Sequence, residues 1–302
     1  MSRNSTLDRM IRVGTMAGMG AKTAKYIRQL IPLGFECFQV NFWQTLGDVS
    51  LPRLAEEVRP ILAESGTVVS SLAVFGNPLG VEEIDALTRK AWEQAIDAAP
   101  DFGCDLVCGF AGRVNFKPVP ESLPRFKEVW SPLLDRAAAK GVRIAFENCP
   151  MGGDWKTGEW NIAFNPDAWN LIFETVPGAP LGLEWEPCHQ LCQLIDPIAQ
   201  LREWAPKVFH VHGKDASVYR DVIARQGISS PQAFAEHRHP GFGDSNWTDI
   251  LSLLRAHDYK GTIDIEGWHD PVYKDDLEMT GQVHALHYLK RCRGGDFVPI
   301  PL

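Results

Sequence analysis

The chain predicts an α/β fold, a (β/α)8 barrel in a single domain, and three observations carry that prediction. Short apolar, β-rich runs alternate with longer amphipathic stretches from one end to the other, eight such pairs can be counted, and a glycine stands near most passages from a helical stretch into the next run. With 302 residues and 45% hydrophobic content, the chain suits one barrel of roughly 250 residues plus its loops. Residues 1–302 are read as one domain, with residues 1–10 set apart as an N-terminal extension.

The strands are placed at 12–16, 37–41, 68–74, 106–110, 143–147, 182–185, 208–212 and 262–266. Each is short and mostly apolar, as a strand covered on both faces must be. Between them, 51–64, 82–99, 121–140 and 249–256 carry apolar residues at three- and four-residue spacing, the pattern of amphipathic helices. Gly34, Gly66, Gly103, Gly141 and Gly261 precede strands by a few residues, where a left-handed residue ends a helix. The connections after the strands are longer and carry Trp, Asn, His and Pro, above all 148–165 and 213–245. A barrel keeps its active site at that C-terminal end of the strands.

Composition narrows the function classes. A formal charge of −8 argues against nucleic acid, whose phosphates are held by clustered Lys and Arg. A small-molecule substrate is expected instead. No run of about 18 apolar residues appears, and the polar start lacks the apolar stretch of a signal peptide, so no membrane partner and a cytoplasmic location are expected. Seven cysteines, an odd number without C-x-x-C spacing, are all read as packing residues. Cys104/Cys108 and Cys188/Cys192 are each four apart, which would put each pair on one face of a helix. The stretch 14–23 has Gly-rich and Lys-Thr elements without P-loop spacing, so nucleotide binding is rejected.

The chemistry is carried by the ends of the last four predicted strands. The fifth ends in Glu147, the sixth leads into Glu186 and then His189, the seventh ends in His212 followed by Lys214, and the eighth ends in Glu266. Alone, each of these would be read as a cap or a salt bridge. Four strand ends placing ligand types at one rim point to a metal site of Glu147, Glu186, His212 and Glu266. Three carboxylates and one imidazole suit Mn²⁺ or Mg²⁺ first, with Zn²⁺ and Co²⁺ as further candidates. His210 is assigned to the face opposite His212, as a satisfied core histidine. Asn41 closes the second strand and Asn77 lies past the third, both at the rim as candidate substrate contacts. Trp43, Trp155, Trp160, Trp185 and Trp268 are candidates to line the mouth. His237, Arg238 and His239 are read as a solvated charged face.

The segments Ala145-Phe146-Glu147-Asn148-Cys149-Pro150-Met151, Glu186-Pro187-Cys188-His189, His210-Val211-His212-Gly213-Lys214-Asp215, Pro240-Gly241-Phe242-Gly243-Asp244 and Asp264-Ile265-Glu266 resemble the sugar isomerase/epimerase family of xylose-isomerase-like TIM barrels. The resemblance runs over nearly the whole chain and extends to the branch of 3-keto-glycoside and C-glycoside deglycosidase catalytic subunits. It implies one divalent metal on those four residues and proton abstraction next to a sugar carbonyl through a metal-stabilised enediolate. It implies Glu147 and Glu266 as catalytic acid and base, with His189 touching a substrate oxygen and Lys214 anchoring a substrate group. Lys214 has an alternative role in an ion pair with Asp215 or a loop carboxylate. Glu186 departs from the family pattern, which has Asp there, so an extra methylene must be absorbed, and Glu184 lies too deep to replace it. Two rivals stand beside the isomerase or epimerase reading. One is a lyase that follows the same abstraction with loss of the aglycone, working with a small β-rich partner subunit; the other is a sugar-binding barrel without chemistry. A homo-oligomer is also compatible with the sequence.

Overall fold

The computed structural model describes residues 10–267 and 269–301. The predicted extension, Met10 apart, and Trp268 lie outside the described residues. The strands are β1 (Val13–Met16), β2 (Cys37–Trp43), β3 (Val68–Phe75), β4 (Leu106–Gly109), β5 (Arg143–Glu147), β6 (Leu181–Trp185), β7 (Val208–Gly213), β8 (Asp215–Val218), β9 (Ala235–Arg238) and β10 (Ile263–Ile265). Eight of them follow the order β1-β10-β7-β6-β5-β4-β3-β2 in a closed barrel. The printed registers are parallel, for example Phe146↔Leu183 and Asp264↔His212. The helices are α1 (Thr23–Leu30), α2 (Leu51–Ser65), α3 (Glu83–Ala98), α4 (Val119–Ala139), α5 (Pro166–Thr175), α6 (Pro187–Cys192), α7 (Pro197–Trp204), α8 (Arg220–Gln226), α9 (Trp247–Ala256) and α10 (Glu278–Cys292). No described helix is long and apolar enough to cross a membrane.

Contacts divide the chain into two compact units. The first comprises Met16–Trp185 and Lys207–His210. Its core includes an aromatic cluster in which Trp130 of α4 meets Trp92 of α3 edge-on at 4.8 Å and Phe146 of β5 at 4.5 Å. The Trp130 indole donates to the Ala111 carbonyl at 2.8 Å, so the buried ring leaves no polar atom unsatisfied. Helix α3 begins at a reciprocal cap, with Glu82 and Asp85 each accepting from the other's end of the turn. The second unit runs to Thr15 and takes in Glu186–Pro206 and the chain from Val211 onward. There Ile250, Leu251 and Leu254 of α9 and Ala285, Leu286 and Leu289 of α10 are buried at three- and four-residue spacing.

The junction glycines follow the sequence reading at four positions, Gly34, Gly66, Gly103 and Gly141, whose φ values lie between 67° and 98°. The fifth does not. Ahead of β10 the left-handed residue is Asp258 (φ 58°), whose short polar side chain tolerates that conformation, and Gly261 plays no such role. The connection 213–245 is also not an open loop. Asp215 pairs with Arg238 and Val218 with Ala235 in an antiparallel β8–β9 ribbon, a local pairing that the alternating parallel pattern does not announce.

Candidate metal centre

In the second unit, three predicted ligands stand at strand ends. Glu186 follows β6 and is the residue from which α6 starts. His212 lies on β7, and Glu266 comes directly after β10, two residues beyond the Asp264 that pairs with His212. All three side chains are buried. His212 Nδ1 is 3.3 Å from Glu266 Oε2. His189 Nε2 is 2.7 Å from Glu186 Oε1. The Lys214 ammonium, itself buried, donates to Glu266 Oε1 at 2.7 Å and stands 3.5 Å from His189 Nε2. Lys214 thus stands in an ion pair with Glu266, the carboxylate directly after β10. Asp215 instead accepts from the Trp247 indole at 3.1 Å and from the Ser245 and Ala216 amides.

The electrostatics set the charge states. Burial works to raise the pKa of Glu266, but the Lys214 charge and the imidazoles of His212 and His269 together outweigh it and hold the carboxyl well below its ordinary value. His189 moves the other way for a cation: burial first, then the Lys214 charge and His237, push it well below the usual imidazole range. The site therefore presents an ionised carboxylate beside a neutral imidazole.

Glu147, in the first unit, is the buried last residue of β5. The long connection after it is fixed by residues that the sequence reading missed. The buried Asn161 amide donates to the Glu147 and Cys149 carbonyls and its oxygen accepts from the Ala111 and Ala163 amides. Arg113, also buried, donates to the Lys117 and Asp154 carbonyls. Asn77, expected at the rim as a substrate contact, directs its amide to the Arg113 and Glu159 carbonyls and so fixes the loop.

One ligand atom from each of Glu186, His212 and Glu266 lies within 4.8 Å of the others. Glu266 Oε2 receives no hydrogen bond. A buried carboxylate oxygen in that position fits a divalent cation, and the predominance of oxygen donors fits a hard one.

His210 and His212 do not face opposite sides of β7, because residues two apart in a strand share a face. His210 is buried with its Nδ1 2.9 Å from Glu184 Oε1, and the Gln39 amide donates to that same oxygen at 2.5 Å. Glu184 and His210 thus form a polar layer two residues back along their strands from Glu186 and His212. Asn41 stands on β2, half-buried, with its side chain packed against Gly18. Trp185 is fully buried core, whereas Trp43 is exposed and meets Trp160 with ring centroids 5.4 Å apart, and Trp155 is partly exposed. Cys104 and Cys108 share no helix face, since Cys108 is on β4, whereas Cys188 and Cys192 do lie on α6.

The stretch 237–239 is not a solvated face either. His239 is buried, and Arg238 donates to Asp270 at 3.0 Å. Burial works against the Asp270 carboxylate, but the Tyr273, His239 and Val272 amides and the Arg238 guanidinium outweigh it and hold its pKa down to about 2. A depressed carboxylate pKa stabilises the fold above the unfolded value of 3.8 and loses that contribution as pH falls toward the folded value of about 2. Asp270→Asn is therefore expected to cost about 2 kcal/mol at neutral pH. It should also flatten the fall in stability on acidification, as read by urea unfolding over a pH series.

A family model describing the xylose isomerase-like TIM barrel matches residues 27–292. The chain belongs to that family. Among solved members of the fold, 3-keto-D-glucoside 4-epimerase YcjR from E. coli superposes with a TM-score of 0.67 at 17% identity, covering 93% of this chain and all (100%) of that one. A xylose isomerase-like TIM barrel protein from Mycobacterium smegmatis in complex with magnesium gives a TM-score of 0.67 at 17% identity, covering 95% and 97% of the two chains. At these identities the likeness is one of fold. In sequence, inosose dehydratase from Lactiplantibacillus plantarum is 28% identical over 158 residues, which span 51% of this chain and 49% of that protein.

Proposed function

We propose that this chain is a divalent-metal-dependent enzyme of the sugar isomerase/epimerase class that removes a proton from the carbon next to a sugar carbonyl. The family match over residues 27–292 supports reading the chain as one barrel domain. The observation that carries the proposal is the approach of two buried carboxylates, Glu186 and Glu266, and the His212 imidazole within 4.8 Å in the second unit, with Glu147 as the fourth proposed ligand. Glu147, Glu186, His212 and Glu266 would hold the cation, with Mn²⁺ or Mg²⁺ preferred. When bound, it supplies a Lewis acid for the sugar carbonyl and the neighbouring hydroxyl.

The side chains do the rest. Glu266, kept ionised by Lys214, and Glu147 take a proton from carbon and return one, as general base and acid. His189, neutral at physiological pH, contacts a substrate oxygen. Lys214 anchors a second substrate oxygen, and Asn41 contributes an amide from β2. No cluster of Arg and Lys marks a phosphate clamp, so the substrate proposed is an unphosphorylated sugar.

A second reading keeps the abstraction and ends in elimination, as a lyase on 3-keto-glycosides, working with a small partner subunit. It is favoured by the dehydratase among the relatives and by the pairing of exposed Trp43 with half-buried Trp160, whose flat faces suit an aromatic leaving group. Both readings are tested by incubating the metal-loaded protein with ketohexoses and 3-keto-glycosides in D₂O. Deuterium in a rearranged sugar is the expected result. Release of the aglycone transfers the assignment to the lyase, and absence of both overturns the enzymatic reading.

A further inference from the structure

Outside the carboxylate centre, the second unit brings together two thiols and an imidazole. Cys188 and Cys192 stand four apart on α6, and His237 reaches them from β9 of the ribbon. One ligand atom from each of the three lies within 4.8 Å of the others. We propose that Cys188, Cys192 and His237 form a second metal site, separate from the carboxylate centre, for a thiophilic divalent cation of the Zn²⁺ class.

Geometry supports the fit. Zinc bonds of about 2.3 Å to sulfur and about 2.0–2.1 Å to nitrogen in a tetrahedron put the ligand atoms about 3.5–3.8 Å apart. The three groups close to that spacing by moving about 1 Å. Cys188 is buried, while Cys192 and His237 are half-buried, so an ion has a route in and one position stays open to water or a fourth ligand. The two thiols share a hydrogen bond and shift in opposite directions: that bond, then the neighbouring His237, bring Cys192 down to about 5 against its burial, while burial pushes Cys188 well above its ordinary value, so an ion binding here displaces the Cys188 proton.

The two centres select different ions because their donors differ. Oxygen ligands at Glu147, Glu186 and Glu266 suit Mg²⁺ or Mn²⁺, and thiolates suit zinc. Two thiolates also neutralise the charge of a divalent ion, so its burial carries no net-charge penalty. A metal here ties α6 to the ribbon. That helix starts at Glu186 and carries His189, whose ring lies 5.0 Å from that of His237, so the second ion acts as a brace behind the proposed substrate contact.

Cadmium is the probe, because its bonds to thiolate absorb in the near ultraviolet and magnesium does not displace it from sulfur. The full chain, saturated with Mg²⁺, is titrated with Cd²⁺ as wild type and as Cys192→Ser, His237→Ala and Glu266→Gln. The expected result is a sulfur-to-cadmium band that saturates at one equivalent in the wild type, disappears in Cys192→Ser, needs more cadmium in His237→Ala and persists in Glu266→Gln. No band in the wild type, a band unchanged in Cys192→Ser or in His237→Ala, or one lost in Glu266→Gln overturns the site as a separate centre. Circular dichroism on each variant separates loss of the site from loss of the fold.

Discussion

Glu266→Gln is expected to lower kcat by about 10²–10⁴-fold, the range for loss of a general acid or base. The substitution keeps shape and one oxygen. That oxygen still accepts from the Lys214 ammonium, which stands 2.7 Å from Glu266 Oε1. What is lost is the charge and the ability to take a proton. The carboxylate is ionised far below neutrality because Lys214, His212 and His269 together outweigh its burial, whereas the amide offers no base at any pH. Glu147→Gln should fall by a similar factor if the two glutamates form an acid–base pair, and combining them should cost far less than the product of the two factors, since both serve one step. Steady-state turnover with circular dichroism on the same samples checks this. Turnover reduced less than tenfold in either variant removes that residue from the mechanism.

The largest effect on stability is expected from Trp130→Ala, at about 3–5 kcal/mol. Trp130 is fully buried, with its ring edge-on to Trp92 and Phe146 and near Phe126 at 6.1 Å. Truncation opens a cavity bounded by α3, α4 and β5, and it strips the Ala111 carbonyl of its indole donor. Trp130→Phe separates the two contributions, because it keeps much of the packing and loses the hydrogen bond, for which about 1–3 kcal/mol is expected. Urea unfolding with an unchanged slope is the measurement. Phe146 directly precedes Glu147, so the alanine variant should also lose activity while still folded at low temperature.

What the sequence disclosed follows from the range of the forces involved. Local patterns were legible: β5 begins and ends at the predicted residues, and Glu147, Glu186, His212 and Glu266 stand at or next to the ends of successive barrel strands, where the sequence places them. Those readings need only the alternation of elements and the rule that strand ends face one rim. Asn161 and Arg113 went unrecognised, and the loop-fixing bonds of Asn77 with them, because their partners are backbone groups many residues away, such as the Ala111 amide 50 positions from Asn161. No spacing marks such bonds. The β8–β9 ribbon was hidden inside a long connection, which put His237 and His239 in solvent when one is half-buried and the other buried. His210 was misplaced against a period of two that was available in the sequence itself. Cys192 was read as packing, since only the fold shows an imidazole beside its thiol.

The central claim is that Glu147, Glu186, His212 and Glu266 together hold one divalent cation. The direct measurement is Mn²⁺ binding to the chelator-treated chain by electron paramagnetic resonance, with His212→Ala beside the wild type. The account predicts one tightly bound equivalent in the wild type and none of comparable affinity in His212→Ala. A wild type that binds no Mn²⁺, or a variant that binds it as well as the wild type, would contradict it.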